Sequence, residues 1–279
     1  MAVRLLVMGG GKMGEALVAG LLDARWASPE QVVMAEVSAG RRLELASAEG
    51  LAGRHLGLRV VAAPTADLAP VAGAVIAVKP HDVRQACHAL AGLQVERLLS
   101  VAAGVRLEQL EAWSPEGCAV VRAMPNTAAM VREGAAAIVP GARAGQADLD
   151  WAREILSSVG SVAQVTEPLL DAVTGLSGAG PAYVFVLAEA MTEAGVAVGL
   201  ARPLAYDLVL QTLAGSARLL RETGQSPESL RAAVTSPAGA TAAGLRALEA
   251  RAFRSAVIEA VAAATQRSRE MGASPPEDA

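Results

Sequence analysis

Val3-Arg-Leu-Leu-Val-Met8 is an apolar, β-rich run that breaks into Gly9-Gly-Gly-Lys-Met-Gly14, and Glu15-Ala-Leu-Val-Ala-Gly-Leu-Leu22 follows with a helical pattern. The order reads as strand, tight turn, helix. Each glycine of the G-x-G-x-x-G spacing has its own physical reason: Gly9 turns the chain, Gly11 lets backbone approach a pyrophosphate, and Gly14 lets the helix pack close to the strand. The helix N-terminus then faces phosphate with free N–H groups. Three consecutive glycines also occur in ordinary loops. The strand before them and the amphipathic helix after them turn the reading to dinucleotide binding.

Working outward, Gln31 to Glu36 reads as a second strand with Glu36 at its C-terminal end, the position that reads a cofactor ribose. A carboxylate there accepts from both hydroxyls of an NAD ribose and repels a 2′-phosphate. Ser38, Arg41 and Arg42 follow at once and offer the opposite, a seat for that phosphate; a solvated start to a helix ending near Glu49 is the other reading. Further strands are expected at Leu58–Ala62, Ala74–Val78, Arg97–Val101, Ala119–Met124, Ala135–Pro140 and Ser161–Val165, with a helix at Gln146–Ser158. Ligands of open α/β sheets lie beyond the carboxyl ends of strands, which brings Val78, Lys79 and Pro80, then Ala102, Ala103 and Gly104, towards the cofactor. Asn126, in Pro125-Asn-Thr127, offers an amide for a cofactor or substrate or simply makes a turn. His81 and Asp82 are expected to open a helix running to Leu93.

Composition narrows the class. The chain has 279 residues, room for two domains, and is 53% hydrophobic but only 3% aromatic, which suits helices and parallel strands packed through Ala, Val and Leu. A net charge of -4 argues against a nucleic-acid partner. Glu189 and Glu193 interrupt the longest apolar stretch, so no membrane span is expected. The N-terminus runs directly into the first strand, which with Cys87 and Cys118 far apart and outside any metal-ligand spacing predicts a cytoplasmic protein with free thiols and no metal. Of 24 basic residues only Lys12 and Lys79 are lysines, both inside candidate motifs.

Beyond Glu167 strand signals stop and Ala/Leu-rich helices take over, predicting an α/β fold with a Rossmann domain over 1–166 and an all-α domain over 167–279. Helices are expected at Pro181–Val198, Pro203–Glu222, Pro227–Val234, Pro237–Glu249 and Phe253–Glu270, with Gly272–Ala279 disordered. Ser236-Pro-Ala-Gly-Ala-Thr241 has the grammar of a helix start, Ser236 as N-cap and Pro237 first. It is either a well-capped helix or a seat for a small carboxylate.

Together, Gly9–Gly14, Val78-Lys-Pro80, Ala102-Ala-Gly-Val105, Arg122-Ala-Met-Pro-Asn-Thr127, Ser177-Gly-Ala-Gly-Pro-Ala-Tyr183 and Ser236–Thr241 resemble pyrroline-5-carboxylate reductase over nearly the whole chain. The resemblance implies hydride transfer from NADPH or NADH to 1-pyrroline-5-carboxylate, giving L-proline, and a helical domain that interlocks into dimers and larger rings, up to a decamer. It implies that Gly9, Gly11, Lys12, Met13 and Gly14 hold the pyrophosphate, that Val78, Lys79 and Ala102 to Gly104 lie along the nicotinamide half, and that Ser236, Gly239, Ala240 and Thr241 take the substrate. Thr241 and Lys79 are the candidate catalytic side chains. Ala238 departs from the family, where a second glycine is usual after the proline; if that position needs positive φ, alanine is strained. The rival readings are a two-domain hydroxyacid dehydrogenase, disfavoured because no Lys, Arg or His lies between Asp171 and Ala201, and a non-catalytic cofactor-binding regulator.

Overall fold

The structure, a computed structural model, describes residues 3–273; Met1, Ala2 and the part of the expected disordered tail from residue 274 on lie outside the described residues. Strands β1 (Leu5–Met8), β2 (Val32–Ala35), β3 (Arg59–Val61), β4 (Ala74–Ile76), β5 (Arg97–Ser100), β6 (Ala119–Met124), β7 (Gly134–Pro140) and β8 (Gly160–Gln164) form one sheet in the order β3-β2-β1-β4-β5-β6-β7-β8. The first six are parallel, and the order reverses direction between β1 and β4, the topological switch of a doubly wound fold. The central strands are apolar on both faces. Leu6, Met8, Val33 and Ile76 feed one core and Leu5, Val7, Met34 and Val75 the other, because alternate side chains point to opposite sides.

The helices of this half are α1 (Lys12–Asp23), α2 (Ala39–Ala46), α3 (Leu51–Arg54), α4 (Val83–His88), α5 (Leu107–Trp113), α6 (Gln146–Ser157) and α7 (Leu170–Val173). The helix expected to end near Glu49 stops at Ala46, and a separate short helix, Leu51–Arg54, starts from Gly50, where a Cβ would stand 2.1 Å from the Glu44 carbonyl oxygen. The helix expected up to Leu93 stops at His88: Gly92 (φ +79°) and Gln94 (φ +51°) turn the chain while Leu90 and Leu93 are buried in the core. After β6 the connection is too short for a crossover helix. A 3₁₀ turn (Thr127–Val131) and Arg132 at φ +61° reverse the chain, so β7 runs antiparallel to β6. Asn126 braces that reversal, accepting from the Ala135 N–H at 3.1 Å and donating to the Ser177 carbonyl at 3.0 Å.

The helical half contains α8 (Gly180–Ala197), α9 (Arg202–Thr223), α10 (Pro227–Ala233), α11 (Ala240–Ala250) and α12 (Phe253–Ala273). Gly272 and Ala273, expected disordered, finish α12. The compact units do not divide at 166/167. One takes the chain up to Ala179 and again from Ala263; the other is Gly180–Ala262. The reason lies in polar ties made by the extra segments. Glu167 accepts from buried Arg122 (2.8 Å) and from the Leu107 N–H (2.7 Å), Ser268 donates to Asp171 (2.7 Å), and Arg106 donates to the Gly272 carbonyl (2.8 Å). Position 167 marks where the strands end and the helices take over, and the compact packing of the first unit continues past it to Ala179.

Within Gly180–Ala262 only Thr192, Ala205 and Val209 are buried, while Phe185 and Ile258 are about two-thirds exposed. The continuous helical stretch 167–197 is, among the described residues, the one long and apolar enough by length and composition to cross a membrane, although Glu189 and Glu193 lie in it. Apolar surface of this extent marks an interaction face.

Candidate cofactor and substrate sites

The glycine loop lies at the switch point, strapped to its neighbours by Gly9 N–H to the Ala35 carbonyl and Ala77 N–H to the Met8 carbonyl, both 2.8 Å. Gly9 has φ +106°, and a Cβ there would stand 2.6 Å from the Ala77 carbonyl oxygen. At Gly14 a Cβ would come within 2.0 Å of the Gly9 carbonyl oxygen, so the close packing is against the loop itself, with the Ala77 side chain behind. Gly11 is different in kind: a Cβ there meets nothing within 4 Å. It caps α1, whose first internal bond runs from the Glu15 N–H to the Gly11 carbonyl at 2.9 Å. The N–H groups of Lys12, Met13 and Gly14 therefore have no acceptor in the helix, and Lys12 stands exposed beside them.

At the ribose edge the carboxylate of Glu36 accepts from the Gly10 N–H (2.8 Å) and the Ser38 N–H (2.7 Å), one per oxygen, leaving each oxygen a lone pair for a hydroxyl. Ser38 caps α2 by accepting from the Arg41 N–H at 3.3 Å. Arg41 is neither the open phosphate seat nor the solvated helix start between which the sequence left it. Its Nε donates to the Gly10 carbonyl (2.8 Å), its Nη1 to Glu44 (2.9 Å) and its Nη2 to Glu15 (2.5 Å), and these ties, Glu44 foremost, hold its pKa above the usual arginine value. Arg42 is the freer cation: Nη1 donates to the Glu36 and Val37 carbonyls at 2.8 Å, and Nε and Nη2 have no partner among the described residues.

A cleft beyond the strand ends brings together Gly9, Glu36 and Val78 with Ala62, Ala63, Pro64, Gln85 and Ala89, which the sequence reading missed. The rule that ligands lie past strand ends reaches Ala62 to Pro64 through β3; Gln85 and Ala89 lie on and just past α4 and carry no such signal. Lys79 and Pro80 do not line this cleft. Lys79 is exposed and caps a 3₁₀ turn (Pro80–Asp82) after β4. Ala102, Ala103 and Gly104 follow β5, with Gly104 turning at φ +77°. Asn126 is engaged at both ends by backbone and serves as a brace rather than an open ligand group.

In the helical unit the segment 236–241 departs from the expected cap. The Gly239 N–H donates to the Ser236 carbonyl at 3.1 Å, and Ala238 sits at φ +56°, so Ser236-Pro-Ala-Gly239 is a turn with proline second and a left-handed third residue, a type II pattern that favours glycine there. Helix α11 begins three residues later than expected, with Gly239 and not Ser236 as its cap. A Cβ on Gly239 would strike the Ser236 Oγ at 2.3 Å. The N–H groups of Ala240, Thr241 and Ala242 precede the first helical bond, Ala243 N–H to the Gly239 carbonyl, and the exposed Thr241 hydroxyl has no partner among the described residues. The turn thus ends on a donor-rich helix start with a free hydroxyl, a geometry suited to a carboxylate.

Cys87 and Cys118 are free and buried, and burial pushes their thiols up to about 11 and about 12, so both stay neutral near pH 7. Among the described residues no three His, Cys, Asp or Glu side chains gather as metal ligands.

Comparison with known proteins places these features. Residues 167–271 match the family model for pyrroline-5-carboxylate reductase dimerisation, and residues 4–104 match that for NADP oxidoreductase, coenzyme F420-dependent. The chain is 40% identical to a pyrroline-5-carboxylate reductase of Synechocystis sp. over 98% of its length and 99% of that protein's. It is equally identical to one of Methanosarcina acetivorans over 95% and 96%. The structure of a pyrroline-5-carboxylate reductase from Coxiella burnetii superposes with a TM-score of 0.85 at 31% identity, covering 98% of this chain and 100% of the other. That of the Plasmodium falciparum pyrroline carboxylate reductase with NADP bound gives 0.80 at 30%, covering 97% and 98%.

Proposed function

Because this chain belongs to the pyrroline-5-carboxylate reductase family, we propose that it transfers hydride from NADH or NADPH to 1-pyrroline-5-carboxylate and releases L-proline, the last step of proline biosynthesis. The observation that carries the reading is the glycine loop, whose helix N-terminus presents three N–H donors beside a position left open at Gly11. The residues fit a dinucleotide. Gly11, Lys12, Met13 and Gly14 hold the pyrophosphate, Glu36 takes ribose hydroxyls on its two remaining lone pairs, and Ala62 to Pro64 with Ala89 offer small apolar walls for the base. Arg42 is the cation available to a 2′-phosphate, so both nucleotides are used, with Glu36 limiting NADPH by charge repulsion. Lys79 and Ala102 to Gly104, at the ends of β4 and β5, serve the nicotinamide half.

When bound, the nicotinamide supplies the hydride; the protein's own work is positioning. A protonated cyclic imine accepts hydride without a protein acid, so orientation and electrostatics suffice. The N–H groups of Ala240 and Thr241 hold the substrate carboxylate, and the Thr241 hydroxyl steadies the ring nitrogen. Ser236 and Gly239 keep the turn in shape, Ser236 through its carbonyl. Self-association covers the apolar helical unit, at least as a dimer and, on our reading, as a larger ring; the protein works in the cytoplasm without membrane or nucleic acid. Incubation with nicotinamide cofactor carrying deuterium at both C4 positions should deliver one deuterium to C5 of proline; unlabelled proline, or none, counts against the proposal. Sedimentation of a fully active monomer would refute the oligomer.

A further inference from the structure

The two backbone groups of Gly10 are both held by charged side chains from the segment after β2. Its N–H donates to Glu36 at 2.8 Å, and its carbonyl accepts from the Nε of Arg41 at 2.8 Å. Arg41 is itself fixed by two carboxylates, Glu44 from its own helix and Glu15 from the first turn of α1. The peptide joining Gly10 to Gly11 is planar and trans, so fixing the Gly10 carbonyl on Arg41 fixes the Gly11 N–H pointing the opposite way. Gly11 is the cap of α1 and the open position of the loop. Glycine has the widest choice of backbone conformations, and three in succession would otherwise leave this loop to be ordered by the ligand. Glu15 adds a second need: a carboxylate one turn into a helix whose N-terminus receives phosphate repels that phosphate unless a cation neutralises it.

We propose that Arg41 is a positioning residue for the pyrophosphate loop and not a reader of the 2′-phosphate: it presets the Gly10–Gly11 peptide and neutralises Glu15. The inference rests on the cofactor site described above. It separates Arg41 from Arg42, its neighbour in sequence, whose free donors lie at the ribose edge. It also makes an unusual kinetic demand. A residue that touched the 2′-phosphate would matter for NADPH alone, whereas one that shapes the shared pyrophosphate seat matters equally for both nucleotides.

The test compares wild type with Arg41→Met, measuring dissociation constants for NADH and NADPH by cofactor fluorescence and kcat at saturating cofactor. The expected result is a loss of affinity of about tenfold for each nucleotide, the scale of one charge-assisted hydrogen bond. The NADPH to NADH affinity ratio should stay within about twofold of wild type, and kcat should be largely retained, because the defect lies in binding. Loss confined to NADPH overturns the proposal and makes Arg41 a phosphate reader; unchanged affinity for both makes its ion pairs incidental. Should Arg41→Met fail to melt cooperatively, Arg41→Lys keeps a charge beside Glu15 while removing the Nε donor, and the same criteria apply. A wild-type protein that binds neither nucleotide refutes the cofactor site itself, a result distinguishable from either outcome at Arg41.

Discussion

Gly11→Val and Gly14→Ala lie three residues apart and should fail in different ways. At Gly14 an added Cβ would stand 2.0 Å from the Gly9 carbonyl oxygen, more than an ångström inside ordinary contact. The obstacle is backbone, and it cannot swing aside, because Gly9 is held at φ +106° by its bond to the Ala35 carbonyl. Relief requires the loop to open, at the cost of overpacking, about 1–3 kcal/mol. In a protein of this size that lowers Tm by several degrees, on the order of 2–4 °C per kcal/mol. Cofactor affinity falls with it, since the loop that opens is the seat. At Gly11 the side chain meets no protein atom, and φ −66°, ψ −179° is extended backbone open to any residue. Stability should drop only by the difference between a glycine and a valine cap, under about 1 kcal/mol. The branched side chain nonetheless fills the space through which phosphate meets the N–H groups, and affinity should fall by about a hundredfold or more, roughly 2.7 kcal/mol. Thermal melts paired with fluorescence titration of NADH and NADPH measure both quantities. Unchanged affinity in Gly11→Val, or a melt lowered more by Gly11→Val than by Gly14→Ala, would refute the division of labour.

Three further substitutions and one titration follow. Glu36→Gln removes the charge and also one of the two acceptors that hold the Gly10 and Ser38 N–H groups. The lost bond weakens binding of both nucleotides alike, while relieved repulsion should raise kcat/KM for NADPH relative to NADH about fivefold or more; an unchanged ratio would mean the carboxylate does not face the ribose. Thr241→Ala should lower kcat and kcat/KM together by roughly ten- to a hundredfold with cofactor affinity constant; values within twofold of wild type would leave the hydroxyl without a catalytic role. Ala238→Gly removes the left-handed alanine, relieving about 1 kcal/mol of strain partly offset by the freer unfolded glycine, so urea midpoints should be equal or slightly higher, and a clear destabilisation would show the turn needs the methyl group. Burial raises the thiols of Cys87 and Cys118 above their ordinary value of 9.0, to about 11 and about 12. Above pH 9 the unfolded chain therefore holds fewer protons than the folded one, and stability present below pH 9 should decline as pH rises towards 11 to 12, by about 1.4 kcal/mol per pH unit for each thiol. Urea midpoints at pH 8 and 10.5 should separate more in wild type than in a Cys87→Ala, Cys118→Ala variant; equal separation would contradict the buried thiols as the cause.

The elements that define the Rossmann half were legible because each rests on local chemistry. Apolar runs bounded by glycine mark buried parallel strands, and the Gly9–Gly14 spacing specifies its own turn. What escaped the sequence depends on partners brought together by folding. Nothing in the order Ser38-Ala-Gly-Arg41 reveals that the guanidinium turns back onto Gly10 and Glu15; spacing left it between a phosphate seat and a solvated helix start. Ser236-Pro237 satisfies the statistics of a helix cap, yet left-handed Ala238 makes it a turn and moves the cap to Gly239. The doubt over Ala238 was legible, since a family glycine after proline signals positive φ. The reversal at Arg132 and the unit boundary at Ala179 were not, because they hang on contacts such as Arg122 with Glu167, far apart in sequence.

The central claim is tested most directly by mixing the purified protein with NADH or NADPH and 1-pyrroline-5-carboxylate, following the nicotinamide absorbance and assaying L-proline. The account predicts cofactor oxidation that depends on the imine and yields one L-proline for each nucleotide oxidised. Tight cofactor binding with no imine-dependent oxidation would contradict it, leaving a protein that holds the nucleotide without performing the reaction.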